Sequence, residues 1–166
     1  MHNMPLLAEL EKEAEVTRAF LESVPADKLD WRPHDKSMTL GELALHIASL
    51  PASMCDFAAA DSFDMENVDH QPASPESAEA LLPKFQESVE AAASYLGALD
   101  DEKAMQEWRL FKGDEELFSV PRIALLRSML FNHWYHHRGQ LSVYLRLLDI
   151  PVPVAYGPTA DANPFA

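Results

Sequence analysis

The sequence predicts an all-α protein, a bundle of four helices, and three observations carry that expectation. Four stretches repeat apolar residues at alternating steps of three and four, the period of an amphipathic helix. Only 5 glycines occur among 166 residues, too few for a turn-dense β design. No strand pair is written with comparable clarity, so helices packed on helices are the simplest way to bury the apolar faces.

The first helix is expected over residues 5–23, where Leu7, Leu10, Ala14, Thr17, Leu21 and Val24 follow the helical step. Pro5 suits an opening turn, and Val24-Pro25 closes the helix because a residue before proline avoids helical geometry. After the linker "PADKLDWRPHDKSM" a second helix is expected over 39–60. Thr39 and Glu42 have capping-box spacing, and Pro51, inside the stretch, predicts a kink. The acidic loop "DSFDMENVDHQPAS" follows. Ser74-Pro75 then reads as the N-cap and first turn of a third helix over 75–98. Its core face is Leu82, Phe85, Val89, Ala92, Leu96 and Leu99, with Pro83 a possible irregularity. Residues 100–120 read either as a short hairpin turning at Gly113-Asp114 or as an irregular excursion. A fourth helix is expected over 121–148, and the proline-rich tail from about 149 to 166 should run extended over the surface. With no repeat and no linker of domain-separating character, residues 1–166 read as a single domain.

There are 27 acidic against 13 basic side chains, a formal net charge of −14. Such a field repels phosphate backbones and anionic lipid, so neither nucleic acid nor a membrane surface is an expected partner. No apolar run approaches the roughly 18 residues of a spanning helix. The opening "MHNMPLLAELEKEAEV" is acidic where a secretory signal would be basic and then apolar. The single cysteine, Cys55, excludes an intrachain disulfide, fits a reducing compartment and makes the cytoplasm the expected location.

The chemistry concentrates in "NHWYHHRGQ", residues 132–140, which holds three of the seven histidines. On a helical wheel with His133 at zero, His137 falls at about +40° and His136 at about −60°. The apolar stripe of Leu126, Met129, Leu130, Leu141, Tyr144 and Leu148 is centred slightly on the positive side. His133 and His137 therefore point inward together and His136 lies at the edge, a surface or interface residue rather than a ligand. Imidazoles at i and i+4 can converge on one metal ion. The candidate third ligand is His46, set among Leu43, Ala44 and Ile47 in "LGELALHIASL". Three neutral imidazoles would leave coordination positions for solvent or substrate, as in catalytic zinc sites, and would also suit nickel or iron(II). Each histidine also has a plainer reading as a hydrogen-bonded core residue. Glu42, one turn before His46, is either a carboxylate that orients it or simply half of the capping box. Gln140, at about −20°, is placed to touch a ligand bound at the metal. Arg138, at about +140°, should point away from the core into a surface ion pair or dimer contact. Arg32 either reaches the bundle mouth or caps a helix end, and Cys55 should be inert. Phosphate loops, nucleophile elbows and paired-cysteine zinc motifs do not occur.

The segments "LDWRP", "GELALHIA", "NHWYHHRGQL" and "VPVPVAYGPTAD", in this order, resemble the DinB/YfiT-like family of four-helix-bundle proteins. The resemblance spans nearly the whole chain. It implies an up-down-down-up bundle, with a long connection between helices two and three supplied by the acidic 61–75 loop. It implies a divalent metal, nickel or zinc, on residues matching His46, His133 and His137, and a homodimer. Some relatives transfer low-molecular-weight thiols or isomerise substrates with thiol help, using mycothiol or bacillithiol, and others are described only as metal-dependent hydrolases. The expected function is thus a metal-dependent enzyme that activates a small thiol for transfer to an electrophile. The alternatives are hydrolysis by metal-activated water and a non-catalytic metal-binding stress protein. No residue outside the histidines identifies a substrate or a general base.

Overall fold

The acidic residue Glu13 and the hydroxyl of Thr17 are buried in the first helix, α1 (Asn3–Glu22), among Leu6, Leu10, Phe20 and Leu21. Polar side chains in that position need partners, and α1 finds them on the last helix. The computed structural model describes residues 3–66, 68 and 71–165; part of the acidic connection, residues 67, 69 and 70, lies outside them.

The linker folds back onto the start of α2 (Leu40–Ala59) and satisfies its free donors in turn. Leu40 N–H bonds to the Trp31 carbonyl at 2.8 Å and Gly41 N–H to that of Leu29 at 2.9 Å. Glu42 N–H bonds to Thr39 Oγ1 at 3.1 Å while Thr39 N–H bonds to Glu42 Oε2 at 2.7 Å, the reciprocal capping box. Gly41 suits this close approach, because a Cβ would come within 3.1 Å of Pro75 and 3.2 Å of Leu29. This anchoring sets where His46, almost two turns on, will lie.

The third long helix, α3, covers Leu81–Ala98 after a short 3₁₀ turn at Ala78–Ala80. It begins later than Ser74-Pro75 suggested, because Pro75 packs against the position of Gly41 instead of opening the helix. Its buried face is Leu81, Phe85, Ser88, Ala92 and Leu96, with Leu99 just beyond, while Leu82 and Val89 are only partly covered. Ser88 belongs in that face for a reason. Its hydroxyl accepts from Ala52 N–H at 2.9 Å and donates to the Ser49 carbonyl at 3.1 Å, bridging the stretch of α2 that Pro51 interrupts.

Between α3 and the last helix lie a one-turn helix, α4 (Asp101–Met105), and a hairpin of β2 (Glu107–Lys112) and β3 (Glu115–Pro121). The hairpin turns at Gly113, whose φ of 57° suits a residue without a side chain. A short strand, β1 (Ser62–Asp64), pairs in parallel with β2, Phe63 opposite Leu110. The all-α expectation is corrected to this extent: the chain is mostly helical but carries a three-stranded sheet in the order β1-β2-β3. Trp108 of β2 is fully buried against Phe57, and the buried Arg122 guanidinium donates to the carbonyls of Ala58 and Ala60 at the end of α2. The sheet thereby closes one end of the helices.

The last helical run is continuous but not uniform: α5 (Arg122–Leu125), a π-helical segment (Leu126–Asn132) and α6 (His133–Leu147). Helices α1, α3, α2 and α6 contact one another around a ring, α2 lying against both α3 and α6. At its end α6 stops in a Schellman arrangement, with Ile150 N–H on the Leu145 carbonyl and Asp149 N–H on that of Arg146. Asp149 occupies the left-handed position at φ 58°. The tail then runs back along the molecule, with Asp161 held by Arg146 and by Val152 N–H. No helix among the described residues is long and apolar enough to cross a membrane.

Candidate metal centre

The buried positions of α6 are Trp134, Arg138, Leu141, Tyr144 and Leu145. On the same wheel these centre near +100°, so His133 and His137 sit at the rim of the buried face rather than in its middle. The uniform wheel misplaced the centre because it counted Leu126, Met129 and Leu130, which lie within the π-helical segment. A π turn takes more residues than an α turn, which slips the register of everything upstream. A rim position suits ligands, since a ring there is held by neighbours on one side and open on the other.

Across from it, α2 presents His46. The Nε2 atoms of His46 and His133 are 3.4 Å apart, and those of His133 and His137 are 2.8 Å apart. One ligand atom from each residue lies within 4.8 Å of the others, and all three rings are half-buried. His136 is exposed, beside His137 with ring centroids 5.0 Å apart but outside the cluster.

Two features of the helices bring the rings together. Pro51 lacks the N–H that would have bonded the Ile47 carbonyl, and the buried indole of Trp134 fills the gap, its Nε1–H donating to Ile47 O at 3.1 Å. Trp134 follows His133 and Ile47 follows His46, so this one bond fixes the register of α6 on α2 beside the site. Sequence reasoning missed this bond; the signal available was a proline four residues after Ile47 and a tryptophan adjacent to a histidine. The second feature is Gln140, whose Oε1 accepts from His137 Nδ1 at 2.8 Å. It touches the ligand-bearing ring itself, on the side away from the cluster.

Burial, and then the neighbouring His137 and His133, push His46 down to about 4. Burial also lowers His133 and His137; against it work the Met129 backbone for His133 and the Gln140 hydrogen bond for His137. All three therefore favour the neutral form, the form that ligates metal. The donor set fits a divalent cation on its own terms. Three Nε2 atoms converge with no carboxylate or hydroxyl among their partners, and few N–H groups can be placed between them without leaving lone pairs opposed. Neither candidate fourth ligand is available from the protein: Glu42 serves the capping box and Gln140 serves His137.

Other expectations fare differently. Arg138 is not on the surface but 2% exposed. Its guanidinium pairs with Glu13 at 2.5 Å and donates to Thr17 Oγ1 at 3.0 Å and to the Tyr156 hydroxyl, between the rings of Tyr135 and Tyr156. An ion pair was one of the two expectations, the other a dimer contact; burial was not expected, because α1 and the tail cover the face that the misplaced wheel assigned to solvent. Cys55 is buried with its thiol pushed up to about 12, chiefly by desolvation, which keeps it inert. Arg32 is exposed. A surface concavity of about 390 Å³ beside Asp61, Gln106 and Arg109 lies apart from the histidines.

Fold and cluster together define a class: a mostly helical protein carrying a three-histidine group suited to a metal ion. Residues 1–163 match the DinB family, and the chain belongs to it. It is similar to the uncharacterized protein YrdA of Bacillus subtilis (strain 168), 28% identical over 154 residues that cover 91% of this chain and 86% of that protein. Two solved structures share the fold. A DinB-like protein from Bacillus cereus ATCC 10987 superposes with a TM-score of 0.69 at 22% identity, covering 90% of this chain and 95% of that one. The DinB-like protein YjoA from Bacillus subtilis gives 0.70 at 21%, covering 92% and 97%. Family and cluster both fit a metal-binding protein of DinB type.

Proposed function

We propose that the protein is a metal-dependent enzyme in which His46, His133 and His137 hold one divalent ion of the zinc, nickel or iron(II) type, and that its exogenous ligand is a low-molecular-weight thiol destined for transfer to an electrophile. The observation that carries this reading is the donor set: three neutral nitrogens within 4.8 Å, at the rim of the buried face, with no fourth metal-ligating side chain joining the group among the described residues. A structural site would be closed by a fourth side chain; a catalytic one keeps a position open. A divalent ion on uncharged ligands keeps its full charge and, when bound, lowers the pKa of a thiol or water placed beside it.

The protein's own part is positional. Trp134 holds α6 in register on α2, Gln140 orients His137, and the low proton affinity of the buried rings keeps the donors neutral at physiological pH. Hydrolysis would use the same site with water in place of thiol. The remaining expectations belong to this reading. The helices form an up-down-down-up bundle in a single domain, supported by the ring of helix contacts and by the fold likeness. The chain works in the cytoplasm as a homodimer, apart from nucleic acid, which the net charge of −14 disfavours.

Cobalt(II)-loaded protein mixed with a small thiol tests the proposal. A new near-ultraviolet sulfur-to-cobalt charge-transfer band, lost in His133→Ala, is the expected outcome. Cobalt bound with no such band at saturating thiol would exclude thiol ligation and favour the hydrolytic reading.

A further inference from the structure

Neutral imidazole carries one N–H, and a ring can ligate through Nε2 only when that proton is on Nδ1. In water the neutral ring prefers the opposite arrangement. His137 therefore needs something to hold its proton on the far nitrogen. Gln140 is three residues on along α6, on the same side of the helix, with Oε1 2.8 Å from His137 Nδ1, while Nε2 of the same ring is 2.8 Å from His133 Nε2. We infer that Gln140 is a positioning residue: by accepting the Nδ1 proton it selects the tautomer of His137 whose Nε2 lone pair faces the other two histidines. The inference rests on reading the cluster as a metal site. It is separate from the expectation that Gln140 touches a ligand bound at the metal. Gln140 is exposed, so its amide is held by this bond rather than by packing, and it adds nothing to the core. The reverse amide orientation would give His137 a proton on Nε2 and oppose ligation.

The experiment combines zinc titration with ring-nitrogen NMR of the full chain. Gln140→Met, which keeps the length of the side chain but removes the acceptor, is expected to weaken zinc binding ten- to a hundred-fold, on the order found for lost partners of metal-ligating histidines. Its thermal midpoint should stay that of the wild type. Gln140→Glu, an acceptor only, should restore affinity. In metal-free protein, nitrogen shifts should show His137 protonated on Nδ1 in the wild type and in Gln140→Glu, and shifted toward Nε2 in Gln140→Met. Unchanged zinc affinity in Gln140→Met, or a wild-type ring protonated on Nε2, overturns the assignment. Wild-type protein that takes up no zinc counts against the metal reading instead, and the metal-free shifts still decide the role of Gln140.

Discussion

At His46 the folded chain favours the neutral ring, its pKa pushed to about 4 from the ordinary 6.5 by burial and by two neighbouring imidazoles. Between those two values the unfolded chain binds more protons than the folded one. The stability that His46 contributes in metal-free protein is thus complete above about pH 6.5 and lost as pH falls toward 4. Urea midpoints measured across that range should drop less steeply for His46→Gln than for the wild type; parallel slopes would contradict the assignment. Metal content should follow the same residues. His46→Ala, His133→Ala and His137→Ala are each expected to abolish most zinc retention on dialysis, whereas His136→Ala keeps it. Elemental analysis of the four variants decides this, and loss in His136→Ala with retention in His137→Ala would reverse the assignment. That His133 and His137 would come together was legible because i, i+4 spacing on an amphipathic helix is itself a statement about geometry. Gln140 was half legible: its side of the helix could be read, its partner could not.

Helices are where the sequence reading succeeded in kind and slipped in register. The capping box at Thr39 and Glu42 formed as spacing required, because it depends on residues three apart and on nothing distant. The π-helical segment before His133 depends on tertiary packing and has no period of its own, so the wheel carried an error through it. The pairing of Pro51 with Trp134 was likewise hidden, since it joins residues 83 positions apart. It is testable. Trp134→Phe leaves the Ile47 carbonyl without a donor, and an unsatisfied buried acceptor costs about 1–3 kcal/mol. Urea denaturation should show that loss, and a smaller one when Pro51→Ala supplies a backbone N–H to the same carbonyl. Equal losses in both backgrounds would mean that the two residues are not coupled. At the other end of α6, Asp149 holds φ 58°, a conformation glycine adopts freely. Asp149→Gly should raise stability by up to about 1 kcal/mol, read as a higher urea midpoint.

Across the whole molecule, α1, α6 and the tail meet at Arg138, which joins Glu13, Thr17 and Tyr156. Removing one member of a buried pair strands the other, at a cost of roughly 3–5 kcal/mol. Arg138→Met should show that loss in thermal or urea unfolding, and Glu13→Gln combined with Arg138→Met should recover much of it; additive losses would mean that the pair is not a unit. The general plan of long helices was readable because each buries its own periodic face. The β2–β3 hairpin was half readable, one of two readings for residues 100–120, since Gly113-Asp114 marked its turn; the third strand was not, because β1 is three residues long, sits in an acidic segment and pairs only through contacts with β2 far along the chain. What the assembled fold does for the site is to bring α2 and α6 together at the height of His46 and His133. X-ray absorption fine structure of the zinc-loaded protein measures the result directly. Three imidazole nitrogens at about 2.0–2.1 Å, with light exogenous atoms completing the shell, is the expected spectrum; outer-shell scattering from one imidazole or none would contradict the three-histidine centre.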